Sequence, residues 1–222
     1  MKIKFVHMPK CAGSSIAYFL KPYLNSNFKY LKHYEKINHE DLGDASTWVS
    51  CIRNPLDVYA SFWVYREYGT DVRTKMFKSL PENCKSHIDD NLKSKKEAFR
   101  NWLNFVLLEY NFPNSIFENA NVDYGMVTQW VITYWFGENK KLFESEYLNN
   151  PDKNYVITEY IRAEHIETDL KKIININEEI IMPRKNQGKE KLDYRELYDK
   201  EMMEMVYNKD RYIYKKFKYG IS

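Results

Sequence analysis

The sequence predicts an α/β fold of three layers, a mostly parallel central sheet flanked by helices. Three observations predict it. Short apolar runs at 3–8, 47–52 and 155–157 have the length of strands. Each is followed by apolar residues at helical spacing, and the first two end in turns of small or rigid residues.

In order, Ile3, Phe5, Val6 and Met8 make a strand that stops at Pro9. Lys10-Cys11-Ala12-Gly13-Ser14-Ser15 is a small-residue turn, and 16–20 continue as a helix. Tyr30-Leu31-Lys32-His33-Tyr34 is a candidate second strand. Trp48, Val49, Cys51 and Ile52 form a buried strand ended by Arg53-Asn54-Pro55. Pro55 suits the first turn of a helix that carries Val58, Tyr59, Phe62, Trp63 and Tyr65 inward. Residues 66–96 are polar and lysine-rich and read as a long surface excursion. Phe99, Trp102, Leu103, Val106 and Tyr110 then fall at helical spacing, as do Met126, Trp130, Val131, Tyr134 and Trp135. Lys153 to Ile161 contains a late strand, with Tyr155, Val156 and Ile157 as its apolar residues, followed by Arg162-Ala163-Glu164 and a helix through Ile166, Leu170 and Ile174. The tail from Tyr194 to Tyr219 is helical in pattern.

With 222 residues, the chain is sized for a single domain, 1–222. Its 34 basic and 31 acidic side chains leave a net charge of +3, which argues against a nucleic-acid partner. Cys11, Cys51 and Cys84 are too few and too irregular for a disulfide framework or a zinc site. No apolar stretch reaches the length of a signal peptide core or a membrane span, so the expected compartment is the cytoplasm. The aromatic share of 16% points to dense packing and to a stacking surface for a planar ligand. Oligomeric state is not encoded in any pattern here.

The turn at Lys10 has what a phosphate-binding loop needs: small residues for close backbone approach, a lysine, and hydroxyls at a helix start. Its order is not that of a nucleoside-triphosphate loop, because the lysine precedes the glycine. No aspartate closes an apolar strand to hold magnesium, and Glu159 is a weak substitute. The plain alternative is a strand-to-helix turn with a capping serine. Arg53, directly after a buried strand, adds a bidentate donor at the sheet edge where ligands of open α/β sheets bind, and Ser61 lies two helical turns on.

These residues resemble a family. His7-Met8-Pro9-Lys10-Cys11-Ala12-Gly13-Ser14-Ser15 is similar to the 5′-phosphosulfate loop of sulfotransferases that use 3′-phosphoadenosine 5′-phosphosulfate (PAPS). Arg53-Asn54-Pro55-Leu56-Asp57-Val58-Tyr59-Ala60-Ser61 is similar to their 3′-phosphate motif, particularly in the carbohydrate branch. Ile161-Arg162-Ala163-Glu164-His165-Ile166 and Asn186-Gln187-Gly188 resemble later family segments more weakly. The resemblance implies a P-loop nucleotide-hydrolase-like sulfotransferase fold, with 66–150 as an acceptor-side helical insertion.

It further implies that PAPS is the co-substrate, leaving as 3′-phosphoadenosine 5′-phosphate, and that no metal is required. The acceptor would be a hydroxyl of a saccharide or small metabolite. Lys10 would stabilise the departing 5′-phosphate, and Cys11, Ala12, Gly13, Ser14 and Ser15 would supply donors to it. Arg53 and Ser61 would hold the 3′-phosphate. Arg184-Lys185-Asn186-Gln187-Gly188-Lys189 is a candidate flap over the nucleotide, and equally a solvated charged loop. An alcohol acceptor needs a base; His33 is the first choice, with His39 and Glu35 as rivals, while His7 reads as a strand residue supporting the loop. Val58 and Gly188 depart from the family pattern, where arginine and serine are common, which leaves the acceptor open. The alternatives are a P-loop nucleotide kinase or phosphotransferase, and a catalytically silent nucleotide-binding module.

Overall fold

The protein is described by a computed structural model over residues 1–32, 35, 37, 42, 44–64, 92–109, 123–136, 156–175, 179–182 and 194–221. It forms two compact units, 1–53 with 130–187 and 54–129 with 188–222.

The first unit is an α/β structure built on an all-parallel sheet of four strands. β1 (Ile3–Val6) is buried at every position because it has a parallel neighbour on each side. Those neighbours are β2 (Phe28–Leu31) and β3 (Thr47–Ile52), and β4 (Glu159–Arg162) pairs with β3. The order is β2-β1-β3-β4. Parallel strands need a crossover, and α1 (Gly13–Leu24) supplies it between β1 and β2. The chain then returns to the other side of β1 to lay down β3. Strand order therefore reverses between β1 and β3, and the carboxyl ends of these two strands flank a topological switch point.

Packing in this unit follows the sequence pattern. Phe5, His7, Phe28 and Tyr30 stack in a row across β1 and β2. The buried Ser50 hydroxyl donates to the Val6 carbonyl at 2.8 Å and accepts from the Trp135 indole at 2.9 Å, so a polar group in the middle of β3 is satisfied. At the far edge, Arg162 closes β4 and forks onto Asp169 of the helix Ile166–Ile174 through Nε at 2.9 Å and a terminal nitrogen at 2.8 Å.

The second unit is helical among its described residues. It comprises α2 (Pro55–Val64), α3 (Leu92–Leu108), the first turn of α4 (Met126–Phe136), and two C-terminal helices. With Ile166–Ile174 as α5, these last two are α6 (Lys200–Lys209) and α7 (Arg211–Phe217). Asn54 caps α2 by accepting from the Leu56 N–H at 3.0 Å, with Pro55 as the first helical residue. Tyr59, Trp63, Phe99, Trp102 and Tyr198 pack ring against ring, and Val58, Leu103 and Val106 complete the buried face. Each such ring or branched side chain contributes roughly 1.5–3 kcal/mol by leaving water.

Three sequence expectations need correction. The late strand lies not at the apolar residues 155–157 but at Glu159–Arg162, because it is an edge strand whose outer residues, Glu159 and Tyr160, face water and so escape an apolar pattern. The preceding Thr158 N–H already bonds the Trp48 carbonyl at 3.0 Å, which brings the chain to β3 before the ladder starts. The second strand ends at Leu31, so His33 lies past it and outside the described residues. The excursion read over 66–96 gives way to α3 at Leu92, where Lys93, Lys95 and Lys96 occupy helical positions. Among the described residues, no helix is long and apolar enough to cross a membrane.

Candidate functional site

At the carboxyl end of β1 the chain leaves the sheet through a loop of unusual backbone. Lys10 and Ala12 hold φ values of 60° and 62°, while Cys11 and Gly13 stay out of the left-handed region. Left-handed residues interspersed with residues of the other hand are the backbone pattern from which anion-cradling concavities are built. For residues with a Cβ this conformation costs roughly 1–2 kcal/mol each, so the loop is strained and its surroundings must hold it.

Those surroundings are identifiable. The N-cap of α1 is Ala12, with no side-chain cap, so a serine-capped turn is not what the sequence forms here. The Ala12 carbonyl accepts from the N–H groups of Ser15 at 3.0 Å and Ile16 at 3.2 Å. Gly13 and Ser14 thus lead the helix with their N–H groups and the positive end of its dipole. From the end of β3, Arg53 donates to the Lys10 carbonyl at 3.4 Å, joining the two motifs across 43 positions of sequence. Lys10, Ala12, Ser14, Ser15 and Arg53 are half-buried, whereas Cys11 and Gly13 are buried.

The Cys11 thiol is buried and held in its protonated form. Burial pushes its thiol well up, Cys51 and Glu164 add to this, and the charges of Arg53 and Lys10 only partly offset it. Cys51, on β3, is pushed up to about 12 by burial.

Beyond β4 the Ala163 N–H bonds the Ile52 carbonyl at 2.8 Å, extending the ladder and leaving Glu164 at the same sheet edge. Glu159 opens β4 and so stands at the opposite end of the strand from Lys10 and Arg53. The carboxylate that follows the strand at this edge is therefore Glu164, which is exposed.

His7, read from the sequence as a strand residue supporting the loop, lies directly under it. It is 4% exposed, its ring lies beneath Gly13, and its Nδ1 shares a hydrogen bond of 2.5 Å with the Tyr30 hydroxyl. The available signal was a histidine at the end of a buried strand, six residues before a glycine that opens a helix.

No protein-family model, curated protein or solved structure matches this chain.

What the site can do follows from its chemistry. Preset backbone donors, a lysine and an arginine at a switch point suit a tetrahedral anion. Ser61 lies on α2 in the second unit, half-buried. His33, Arg184 and Lys185 fall outside the described residues.

The second unit holds one other polar cluster of note. Asp210, between α6 and α7, is fully buried; it accepts from the Tyr59 hydroxyl at 2.8 Å and the Thr128 N–H at 2.7 Å. The Met126 N–H in turn donates to Tyr59 at 2.8 Å. Burial raises the Asp210 carboxyl to about 6, against these hydrogen bonds, which pull it down. A sealed carboxylate holding the start of α4 is a structural anchor.

Proposed function

We propose that the protein is a PAPS-dependent sulfotransferase with a three-layer, P-loop-like fold, acting on a hydroxyl of a saccharide or small metabolite. The observation that carries this reading is the left-handed Lys10 and Ala12 backbone facing Arg53 at the switch point. It falls on the two segments whose residues resemble the 5′- and 3′-phosphate motifs of those enzymes.

In this reading the acceptor oxygen attacks sulfur in line with the bridging oxygen of the phosphosulfate. The new S–O bond forms as the old one breaks, and the charge released collects on the departing phosphate. Lys10 and the loop donors stabilise that charge, and a base such as His33 takes the acceptor proton. Alignment and charge stabilisation supply the catalysis, as in phosphoryl transfer.

Calorimetric titration with 3′-phosphoadenosine 5′-phosphate in the presence of a chelator tests it. Binding is expected, with little for AMP, and Arg53→Ala should weaken it about tenfold or more. Failure of the wild-type chain to bind sinks the assignment. Binding of ATP that needs magnesium would point to a kinase instead.

A further inference from the structure

We propose that His7 is a positioning residue of the Lys10 loop: its imidazole, tied to Tyr30, sets how the strained backbone of 10–13 stands over the end of β1, and so sets the loop's affinity for an anion. The inference rests on the anion-binding reading of the loop for its functional half, and on geometry alone for the rest.

Backbone and ring of His7 are both held. Its own backbone N–H donates to the Leu31 carbonyl at 3.1 Å, which fixes the Cα against β2. Its Nδ1 is bonded to the Tyr30 hydroxyl at 2.5 Å, and the rings of His7 and Tyr30 stack with centroids 5.7 Å apart. Its Cδ2–Nε2 edge fills the space that a β-carbon on Gly13 would need. The ring is thus held from the β2 side and meets α1 on the other. A rotation of the imidazole breaks the Tyr30 bond and takes the ring edge away from its place under Gly13.

That coupling matters because of what lies above it. Lys10 and Ala12 sit in conformations that relax unless held, and the N–H directions that make the cradle depend on them. Arg53 holds the Lys10 carbonyl from β3. His7 holds the Gly13 end from β1 and β2. Tyr30, half-buried on β2, also stacks on Phe5 and Phe28, and its phenol is pushed up to about 12, chiefly by burial, so it stays protonated as a hydrogen-bonding partner.

The test uses His7→Phe, which keeps a ring under Gly13 without nitrogen, Tyr30→Phe, which removes one oxygen, and the double variant. Affinity is measured for 3′-phosphoadenosine 5′-phosphate and for adenosine 3′-monophosphate, which lacks the 5′-phosphate. Each single variant should bind the bisphosphate about five- to tenfold more weakly, with the monophosphate unchanged. The double variant should lose no more than the worse single one, because both remove one interaction. Affinities within twofold of wild type, equal losses for both ligands, or losses that multiply in the double variant overturn the proposal. If the wild type binds neither ligand, the sulfotransferase reading fails on its own. Amide hydrogen exchange at Ser15 and Ile16 then decides the His7 role: about five- to tenfold faster exchange in both single variants sustains it, and unchanged exchange overturns it.

Discussion

A β-carbon on Gly13 would come within 2.1 Å of the imidazole of His7. The glycine therefore answers to a side chain six residues earlier and not to its own φ, which lies outside the left-handed region. Gly13→Ala should force His7 or the helix start to move, destabilising the chain by about 1–3 kcal/mol in urea denaturation. Ala12→Gly should do the opposite, holding stability level or raising it by up to about 1 kcal/mol, since Ala12 already sits at a φ that favours glycine. If both substitutions shift the urea midpoint equally, His7 does not crowd Gly13 and Ala12 is not left-handed.

Lys10 is expected to act on the departing group more than on binding. Lys10→Ala should lower the rate of sulfuryl transfer by about 10²–10³ while weakening 3′-phosphoadenosine 5′-phosphate less than tenfold. Steady-state kinetics with PAPS and a responsive acceptor, beside calorimetry, separates the two. His33→Ala should suppress turnover with binding intact; unchanged turnover moves the base elsewhere, His39 and Glu35 being the next residues to test and Glu164 after them.

Asp210 should give the second unit a pH signature. Its carboxyl is raised from 3.8 to about 6, so the folded chain holds that proton more tightly than the unfolded chain does. The stabilisation is complete below 3.8 and is lost as the pH rises through about 6, a swing of about 3 kcal/mol. The wild-type chain should therefore gain stability relative to Asp210→Asn between pH 7 and pH 4.5, read by urea midpoints. Parallel pH profiles would show that burial is not what sets this carboxyl.

Asp169 should behave in the reverse sense. Burial works against its ionised form, but the hydrogen bonds and charge of Arg162 prevail and hold the carboxyl below its usual range. Its stabilisation is present above 3.8 and is lost as the pH falls through the lowered value. Asp169→Asn should cost about 1–3 kcal/mol at pH 7, a range that allows for the partly exposed Arg162, and the deficit should shrink in acid. A constant deficit from pH 7 to pH 2.5 would show that the ion pair contributes nothing to it.

Much of the fold is legible in the residues. Ile3 to Val6 and Thr47 to Ile52 read as buried strands because an interior parallel strand buries both faces. Pro55 and Asn54 mark the start of α2 through the conformations and bonds they allow, and Phe99 to Val106 mark α3 by period. β4 escaped the pattern because an edge strand keeps polar residues on its open side. Residue type alone marked Lys10, Gly13, Ser14 and Ser15 as a small-residue turn leading into a helix, and α1 begins at Gly13.

By itself, then, the sequence determined the α/β class, the buried strands, and the two segments suited to anions, because those depend on local composition and period. Only the tertiary structure decided that β3 returns beside β1, so that Arg53 meets the Lys10 carbonyl at a switch point. It alone decided that His7 lies under Gly13 and that Asp210 anchors Tyr59 from 151 residues away. Such pairings come from crossover and packing, which join residues far apart in the chain and leave no period to read.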